Sequence, residues 1–225
     1  MVSFVPLYSS FMSPASPPAE TPPTASPDRL EALIAAAEQL FLSKGYHNTT
    51  MADIARQAGM SKRTVYTLVP SKADLFGELL AHQRQTRLQF TEPPPGASLE
   101  DTLCATLAAL AQFLLDPVQI SMTRLLITEF SHDPDFTQSF LAGRMRKGKT
   151  HLQGCLVEIA IAQGASPEMA AEMSGMLFGM ALGEFVFGVL CGLRTVPAPK
   201  VLNTRIRTAV KMFLAGLQAL KAEEK

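Results

Sequence analysis

One stretch of the sequence, residues 50–72, limits the fold more than any other, because helix starts and helix stops follow each other closely within it. Thr50 and Asp53 have the spacing of a capping box, in which a hydroxyl and a carboxylate satisfy the first backbone N–H groups of a helix. A helix is therefore expected to begin at Met51, and Gly59 is expected to stop it.

Two further helices are predicted from the same stretch. Ser61 is a suitable N-cap for a helix over residues 62–68. Pro70 ends that helix, because its ring and its missing N–H prevent continuation. Ser71 and Asp74 repeat the capping-box spacing and start another helix. Two short helices joined by a tight turn, with a third behind them, form a helix-turn-helix pattern.

The positive charges of this stretch lie where an isolated helix would disfavour them. Lys62, Arg63 and Lys72 fall in the first turn of a predicted helix, where a cation opposes the helix dipole at a cost of about 0.3–1 kcal/mol. From residue 44 to residue 72 there are five cations and one anion, although the whole chain has a formal charge of zero. Phosphates facing these helix ends would make the arrangement favourable. The pattern predicts a nucleic-acid contact; the alternative is a solvated surface with a chance charge bias.

Composition allows a large core and argues against non-specific coating of nucleic acid. Of the 225 residues, 47% are hydrophobic and 18% are charged. With a balanced net charge, any nucleic-acid contact must come from a local patch. Cys104, Cys155 and Cys191 are far apart, which favours small buried hydrophobes in a reducing compartment. No basic segment followed by an apolar one is recognised at the start, so the expected location is cytoplasmic.

Residues 1–27 are expected to form a disordered tail. They contain seven of the sixteen prolines, and Ser, Thr and Ala fill most of the remainder. Such a segment buries too little apolar surface to offset the entropy lost on ordering it. The two interpretations are a dispensable tail and a polyproline segment that binds a partner; Met12 is an alternative start to Met1.

Apolar periodicity and helix signals predict an all-α chain of about nine helices, with no convincing strand pattern. An N-terminal helix-turn-helix DNA-binding domain is expected over residues 28–88, and a second helical domain over residues 89–225, for which the family resemblance given below implies ligand binding and dimerisation. Besides the short helices above, the predicted helices cover approximately residues 28–44, 71–90, 98–116, 117–132, 134–162, 167–193 and 200–221.

The segment from Gly175 to Leu193 is apolar on nearly all sides, and Glu184 is its one charged residue. Its length and its glycines at every fourth position suit a membrane span. The other interpretation is a helix that a second subunit covers. The charge of Glu184 and the flanking segments, which resemble those of a soluble protein, favour this second interpretation.

Several segments of the N-terminal part resemble the tetracycline-repressor (TetR/AcrR) family. The resemblance implies a homodimeric, ligand-responsive transcription regulator, a repressor in most members, that binds a pseudo-palindromic double-stranded DNA operator. A looser resemblance, to the ligand-binding half, covers residues 124–136. The segments that carry the main resemblance are R-L-E-A-L-I-A-A-A-E-Q-L-F at 29–41, G-Y at 45–46, T-T-M-A-D-I-A-R-Q-A-G-M-S at 49–61, T-V-Y at 64–66 and S-K-A-D-L-F at 71–76.

The resemblance places the recognition helix on residues 61–68. Arg63 is the best candidate to read a guanine through two hydrogen bonds in the major groove. Tyr66 and Lys72 suit phosphate positioning, and the alternative for Tyr66 is packing between helices. The predicted DNA-contacting residues are Thr50, Ser61, Lys62, Arg63, Thr64, Tyr66, Thr67 and Lys72.

Two positions depart from the family pattern. Leu68 stands where family members usually have His or Tyr, and Val69 stands where they usually have Phe. Leu68 predicts the loss of one phosphate contact, and Val69 predicts a weaker core. Operator affinity is therefore expected to be lower, or to depend more on Lys62 and Arg63.

The resemblance also implies a pocket for a small-molecule effector within residues 98–193. Eleven Met, thirteen Phe and no Trp favour an adaptable apolar cavity, and so an apolar or amphipathic effector. Glu129 and Glu184 are candidates to orient the effector; the alternative is that every candidate is ordinary core. The candidate pocket residues are Phe113, Met122, Leu126, Glu129, Phe130, His151, Cys155, Phe178, Met180, Glu184 and Phe185.

The family's last two helices usually form a four-helix dimer interface, so a homodimer is expected through the last two helices here. The predicted contribution of the final helix is the apolar stripe Leu202, Ile206, Val210, Phe213, Leu214, Leu217 and Leu220.

No enzyme, metal or cofactor constellation is recognised in the sequence. There is no nucleophile-elbow spacing, no HExxH and no glycine-rich phosphate loop. The alternatives to a repressor released by a ligand are an activator or architectural DNA-binding protein without an effector, and a membrane-associated helical protein.

Overall fold

The computed structural model describes residues 27–90, 94, 96–132 and 167–223, and within these ranges the regular structure is helical, with no β-strand. The helices in chain order are α1 (Pro27–Lys44), α2 (Met51–Gln57), α3 (Lys62–Leu68), α4 (Lys72–Arg87), α5 (Leu99–Leu114), α6 (Pro117–His132), α7 (Pro167–Phe178), α8 (Glu184–Leu190) and α9 (Pro199–Glu223), with a π-helical turn (Gly179–Gly183) between α7 and α8.

The predicted all-α architecture is confirmed, with one helix shorter than predicted and another interrupted. The helix that starts after Ser71 ends at Arg87, earlier than predicted. The helix predicted over residues 167–193 is interrupted by the π-helical turn. The predicted helix over residues 134–162, and the predicted tail apart from Pro27, lie outside the described residues.

The short helices are fixed by the caps that the sequence predicts. Thr50 and Asp53 form the reciprocal capping box at the start of α2. The Ser61 hydroxyl accepts a hydrogen bond from the Thr64 N–H at 3.1 Å at the start of α3. Gly59, predicted to stop the preceding helix, has a φ of +66°, which a side chain with a Cβ rarely adopts.

Helices α1–α4 enclose the N-terminal core, which includes Leu33, Phe41, Tyr46, Val65, Phe76 and Leu79. An aromatic cluster lies within it, with ring centroids 5.2 Å apart for Phe41 and Tyr46 and 5.6 Å apart for Phe41 and Phe76. These separations and tilted planes are the favourable geometry for aromatic pairs. The cluster holds the connection between α1 and α2 against α4.

Helices α5, α7, α8 and α9 enclose the C-terminal core, which includes Leu103, Leu107, Leu177, Leu182 and Ile206. Cys104 is half-buried beside this core, and burial raises the pKa of its thiol, which therefore stays protonated at neutral pH. The prediction that the cysteines are buried is wrong for Cys191, which is exposed at the end of α8, where the chain leaves the core.

Helix α6 contributes to both cores. Met122 is fully buried in the N-terminal core, and Leu125, Leu126 and Phe130 pack against that core. Ile120, at the start of the same helix, belongs to the C-terminal core. A rigid helix of sixteen residues therefore connects the two halves of the chain.

Four residues of the apolar stripe of α9 do not form an outer surface, and the side chain of Leu220 lies outside the described ones. Leu202, Ile206, Val210 and Phe213 are buried in the C-terminal core of their own chain. Their predicted role in the dimer interface is therefore wrong, because helical periodicity marks an apolar face without identifying what covers it. Among the side chains of α9 that the structure describes, the exposed large apolar ones are Val201 and Met212.

Among the described residues, one helical stretch, Glu172–Leu190, is long and apolar enough to cross a membrane by length and composition. Helices α5 and α6 pass the same test only as a pair, which is bent by 71°. Of the tested window in Glu172–Leu190, 44% is buried inside the structure. A core helix of a soluble protein meets the same criteria, so the contacts of this stretch must decide between the two interpretations.

The N-terminal core predicts that the same change, leucine to alanine, lowers the free energy of unfolding far more at a buried position than at an exposed one. Leu79→Ala removes a fully buried side chain and should lower the free energy of unfolding by about 2–5 kcal/mol. Leu42→Ala, at a position 43% exposed on α1, should change it by less than about 0.5 kcal/mol. Urea denaturation followed by circular dichroism measures both, and equal losses would contradict the described core.

Candidate nucleic-acid interface

Helices α2 and α3 are joined by a turn that fixes which side of α3 faces outward. The Met60 N–H donates to the Ala55 carbonyl at 2.8 Å, closing the turn around Gly59. Val65 is fully buried and holds α3 against the N-terminal core. Tyr66, the next residue, is 53% exposed, so the opposite side of the helix faces solvent.

Two cations stand on this outer side at the start of α3. Lys62 and Arg63 are both exposed, and none of the described residues forms an ion pair with either of them. By contrast, Arg56 on α2 pairs with Asp53. Lys62 and Arg63 therefore present their charges to solvent, at a helix N-terminus that already carries a partial positive charge.

The predicted hydroxyl contacts are already engaged within the two helices. The Thr50 hydroxyl donates to Asp53 Oδ2 at 2.7 Å, and the Thr67 hydroxyl donates to the Arg63 carbonyl at 2.9 Å. The Ser61 and Thr64 hydroxyls lie 2.9 Å apart and share a hydrogen bond. Because one proton of the Ser61–Thr64 pair and those of Thr50 and Thr67 are already engaged, the charged or exposed donors of α3 are concentrated at Lys62, Arg63 and Tyr66.

Lys72 has a structural role that the sequence did not indicate. Its Nζ donates to the Tyr46 carbonyl at 2.8 Å and to the Thr49 carbonyl at 3.0 Å. The same ammonium lies 4.1 Å from the centroid of the Tyr46 ring. Lys72 therefore holds the connection between α1 and α2 against the start of α4, and its predicted phosphate contact stays a prediction.

Asp53 is the acidic residue at the centre of this basic surface. Hydrogen bonds from the Thr50 hydroxyl and N–H hold the pKa of its carboxyl below the ordinary value, with a further contribution from the Arg56 charge. Asp53 is therefore ionised at neutral pH. Its charge is directed at the start of α2 and at Arg56, and it leaves Lys62 and Arg63 uncompensated.

The two positions that depart from the family pattern both contact the N-terminal core. Val69 is buried in that core, and Leu68 packs partly against it. Val69 thus occupies a core position with a smaller side chain than the usual Phe, in keeping with its expected effect on packing. The consequence for operator affinity stays a prediction.

The candidate pocket residues do not form a single group. Met122, Leu126 and Phe130 contact the N-terminal core, whereas Phe178 and Phe185 belong to or pack against the C-terminal core. Phe113 is buried, Met180 is 36% exposed, and His151 and Cys155 lie outside the described residues. The structure therefore brings only part of the set together, and the pocket stays a prediction.

The two acidic pocket candidates have partners within the chain. Glu129 is buried, and its Oε2 lies 3.1 Å from Nε2 of His47 in the connection between α1 and α2. Glu184 is exposed and binds Arg194 and Arg205 at 2.8 and 2.7 Å. No sequence signal indicated these pairs, because their members are far apart along the chain. No group of His, Cys, Asp and Glu within the described residues could hold a metal ion.

Comparison with known proteins gives the same assignment for both halves of the chain. Residues 33–79 match the family model described as bacterial regulatory proteins, tetR family. Residues 101–218, more than half of the chain, match the model described as AefR-like transcriptional repressor, C-terminal domain.

Similar individual proteins are also transcription regulators. The HTH-type transcriptional repressor BepR of Brucella suis is 33% identical over 88 residues, which cover 36% of this chain and only 42% of BepR. The HTH-type transcriptional regulator TtgR of Pseudomonas putida is 28% identical over 161 residues, which cover 70% of this chain and 76% of TtgR.

Solved structures show the same fold over most of the chain. A regulator from Mesorhizobium loti assigned to the tetR family matches with a TM-score of 0.64 and 25% identity, covering 85% of this chain and 98% of that one. The flavonoid-responsive regulator FrrA matches with a TM-score of 0.64 and 25% identity, covering 84% and 96%.

The capping box predicts how acid affects stability. Because the pKa of Asp53 in the folded protein is below the ordinary 3.8, its stabilisation is fully present above pH 3.8 and is lost as the pH falls through the lower folded value. Asp53→Asn should therefore lower the urea midpoint at pH 7, and the gap from the wild type should close on acidification.

Urea midpoints at pH 7 and pH 3 test this expectation. Glu31→Gln, an exposed change on α1, serves as the control and should leave the midpoint unchanged at pH 7. An Asp53→Asn gap that is as large at pH 3 as at pH 7, or absent at both, would contradict the role of the carboxylate.

Proposed function

Since this chain belongs to the tetR family of bacterial regulatory proteins and is a helix-turn-helix transcriptional regulator, we propose that it acts as a homodimeric repressor that a small molecule releases from DNA. The observation that carries the DNA-binding part is the outer side of α3, where Lys62 and Arg63 are exposed and have no ion-pair partner among the described residues. This side fits the polyanionic major groove.

In this proposal, α3 enters the major groove, and the residues on and around it have different roles. Arg63 reads a guanine through its two parallel donors, and Lys62 contacts a neighbouring base or phosphate. Tyr66 donates to a phosphate and fixes the register. Thr50 acts mainly by capping the start of α2, and Lys72 by holding the connection between α1 and α2. Lys72 also adds positive charge to the surface.

A second subunit is proposed to cover the exposed apolar side of the last helices. Phe187 on α8 is 65% exposed and Leu193 just beyond it is 75% exposed. An apolar surface of this kind marks an interaction site, and a dimer buries it by pairing the same surface of two subunits. The exposed large apolar residues that the structure describes in this part of the chain are Met176, Met180, Phe187, Leu193, Val196, Val201 and Met212.

The membrane interpretation of the same stretch is less favourable. Glu184 lies near the middle of the apolar segment, and Arg194 and Arg205 pair with it on the protein surface. Three charged groups at this position would have to leave water if the segment crossed a membrane, at a large free-energy cost. We therefore place the regulator in the cytoplasm, with its apolar side against another copy of itself.

The effector is proposed to be small and amphipathic. The apolar candidates Phe113, Phe178 and Phe185 would contact it on the C-terminal side of the chain. The similar regulator FrrA is flavonoid-responsive by name, which supports an effector that is mainly apolar and carries a few polar groups. The second candidate function is an activator or architectural protein without an effector.

The base-reading role of Arg63 can be tested on an operator selected from random DNA by the wild-type protein. Arg63→Ala should weaken binding to that operator by about 1–3 kcal/mol and abolish the preference for guanine at one position of each half-site. Arg207→Ala, which removes an exposed arginine of α9, should leave the preference intact. Dissociation constants at fixed salt measure both.

If Arg63→Ala weakens binding equally on every DNA sequence and leaves the base preference unchanged, Arg63 contacts a phosphate, and its base-reading role is contradicted. The absence of any selected operator for the wild-type protein would contradict the proposed function itself.

The proposed dimer predicts that a charge at Phe187 separates the subunits. Phe187→Glu places a carboxylate in an apolar interface and should weaken self-association at least about tenfold, because the buried charge has no partner. Leu42→Glu, which places the same charge at an exposed leucine of α1, should leave self-association unchanged. Analytical ultracentrifugation measures the association, and an undiminished Phe187→Glu dimer would contradict this interface.

A further inference from the structure

Arg124, on α6, binds the last turn of α8. Its Nε donates to the Leu190 carbonyl at 2.9 Å, and its Nη2 donates to the Val189 carbonyl at 2.9 Å. The last carbonyls of a helix have no partner within the helix and carry the negative end of its dipole. A guanidinium supplies two parallel donors for these carbonyls and a positive charge for the negative end of the dipole. Arg124 therefore caps α8 from another helix.

The end of α8 that Arg124 binds is closed tightly. Gly192 has a φ of +71°, and its N–H donates to the Val189 carbonyl at 3.1 Å. The Leu193 N–H donates to the Gly188 carbonyl at 2.8 Å. Arg124 therefore contacts a well-formed helix end. Its two bonds join α6 directly to α8.

The other contacts of α6 lead to the DNA-binding side of the chain. Met122, two residues before Arg124, is fully buried in the N-terminal core. Glu129, five residues after it, meets His47 in the connection that leads to α2. Because both contacts and Arg124 are on one helix, a rotation of α6 against α8 would move the N-terminal core.

Helix α8 carries the proposed subunit contact. Phe187 is exposed within one turn of the two carbonyls that Arg124 binds, and Leu193 is exposed just beyond them. Arg124 therefore lies where the proposed dimer surface meets the helix that holds the DNA-binding part.

We propose that Arg124 is a positioning residue that sets the separation of the two recognition helices in the dimer. This inference rests on the proposed dimeric repressor. Its two bonds fix the angle between α8 and α6, and α6 carries that angle to α3 through the N-terminal core. The fixed angle makes the dimer select operators by the spacing between half-sites, since each inserted base pair moves a half-site by about 3.4 Å and turns it around the duplex axis.

The geometry requires the planar fork of arginine. A lysine at position 124 keeps the charge near the helix end, but its compact ammonium cannot make the same two parallel bonds to neighbouring carbonyls. Charge alone attracts α6 to the end of α8, whereas two bonds in one plane also fix its orientation. Arg124→Lys therefore separates positioning from simple electrostatic attraction.

The experiment uses the full chain and an operator selected by the wild type, with versions that carry one base pair more or fewer between the half-sites. Arg124→Ala should bind the original operator about tenfold more weakly and the altered operators almost as well as the original one, so that the spacing preference is lost. Arg124→Lys should show an intermediate preference. Binding to a duplex with one half-site should not change, because α3 itself is intact.

Arg207→Ala is the control for removal of an exposed arginine elsewhere, and it should keep the wild-type spacing preference. Ultracentrifugation and thermal unfolding establish that each variant is folded and dimeric. If Arg124→Ala does not fold, the Arg124→Lys spacing preference alone decides.

Two results distinguish the inference from its premise. In the first, the wild-type dimer has a clear spacing preference, and Arg124→Ala or a folded Arg124→Lys retains that preference in full. This result overturns the positioning role of Arg124 and leaves the repressor proposal intact. A wild-type protein that binds no operator, or binds one as a monomer, overturns the proposed function.

Discussion

The arrangement of this protein depends on one helix that is shared by two hydrophobic cores. Met122 of α6 is buried among the residues of α1–α4, while Ile120 of the same helix is buried with α5 and α7–α9. Removing either side chain from its core would expose apolar surface, so neither half of the chain can move freely relative to α6. The helix-turn-helix part is therefore attached to the remainder through packing rather than through a flexible linker, which suits the proposed dimer, whose two recognition helices would keep a defined separation.

The sequence predicted the local structure well because the signals were local. Thr50, Ser61 and Ser71 each cap a helix whose first N–H groups lie within three residues, and Gly59 has the positive φ that its stop signal implied. Arg63 was selected from its charge at the start of α3, and it is exposed there. Such features depend on neighbours along the chain, and no tertiary contact overrides them here.

The features that the sequence missed depend on residues far apart in the chain. Lys72 was assigned to a phosphate from its charge and position, yet its ammonium also meets carbonyls of the connection between α1 and α2. Glu129 was assigned to a pocket, yet its carboxylate lies beside His47. The stripe of α9 was correctly identified as apolar, but periodicity cannot state whether a face is covered by the same chain or by another. Only the packing of α9 against α5 and α7 decided that question.

The π-helical turn at Gly179–Gly183 has a consequence for how this stretch tolerates change in length. A π turn accommodates about one more residue than an α-helical turn and so behaves as an insertion within a continuous helix. In an unbroken α-helix one inserted residue would rotate the following side chains by about 100° around the helix axis, and the wider π turn absorbs that rotation. Phe185 is buried and Phe187 is exposed on the helix that follows the turn. A relative that lacks one residue here would regain an unbroken α-helix and present the same side chains from α8, so the length of this stretch can change by one residue without altering that surface.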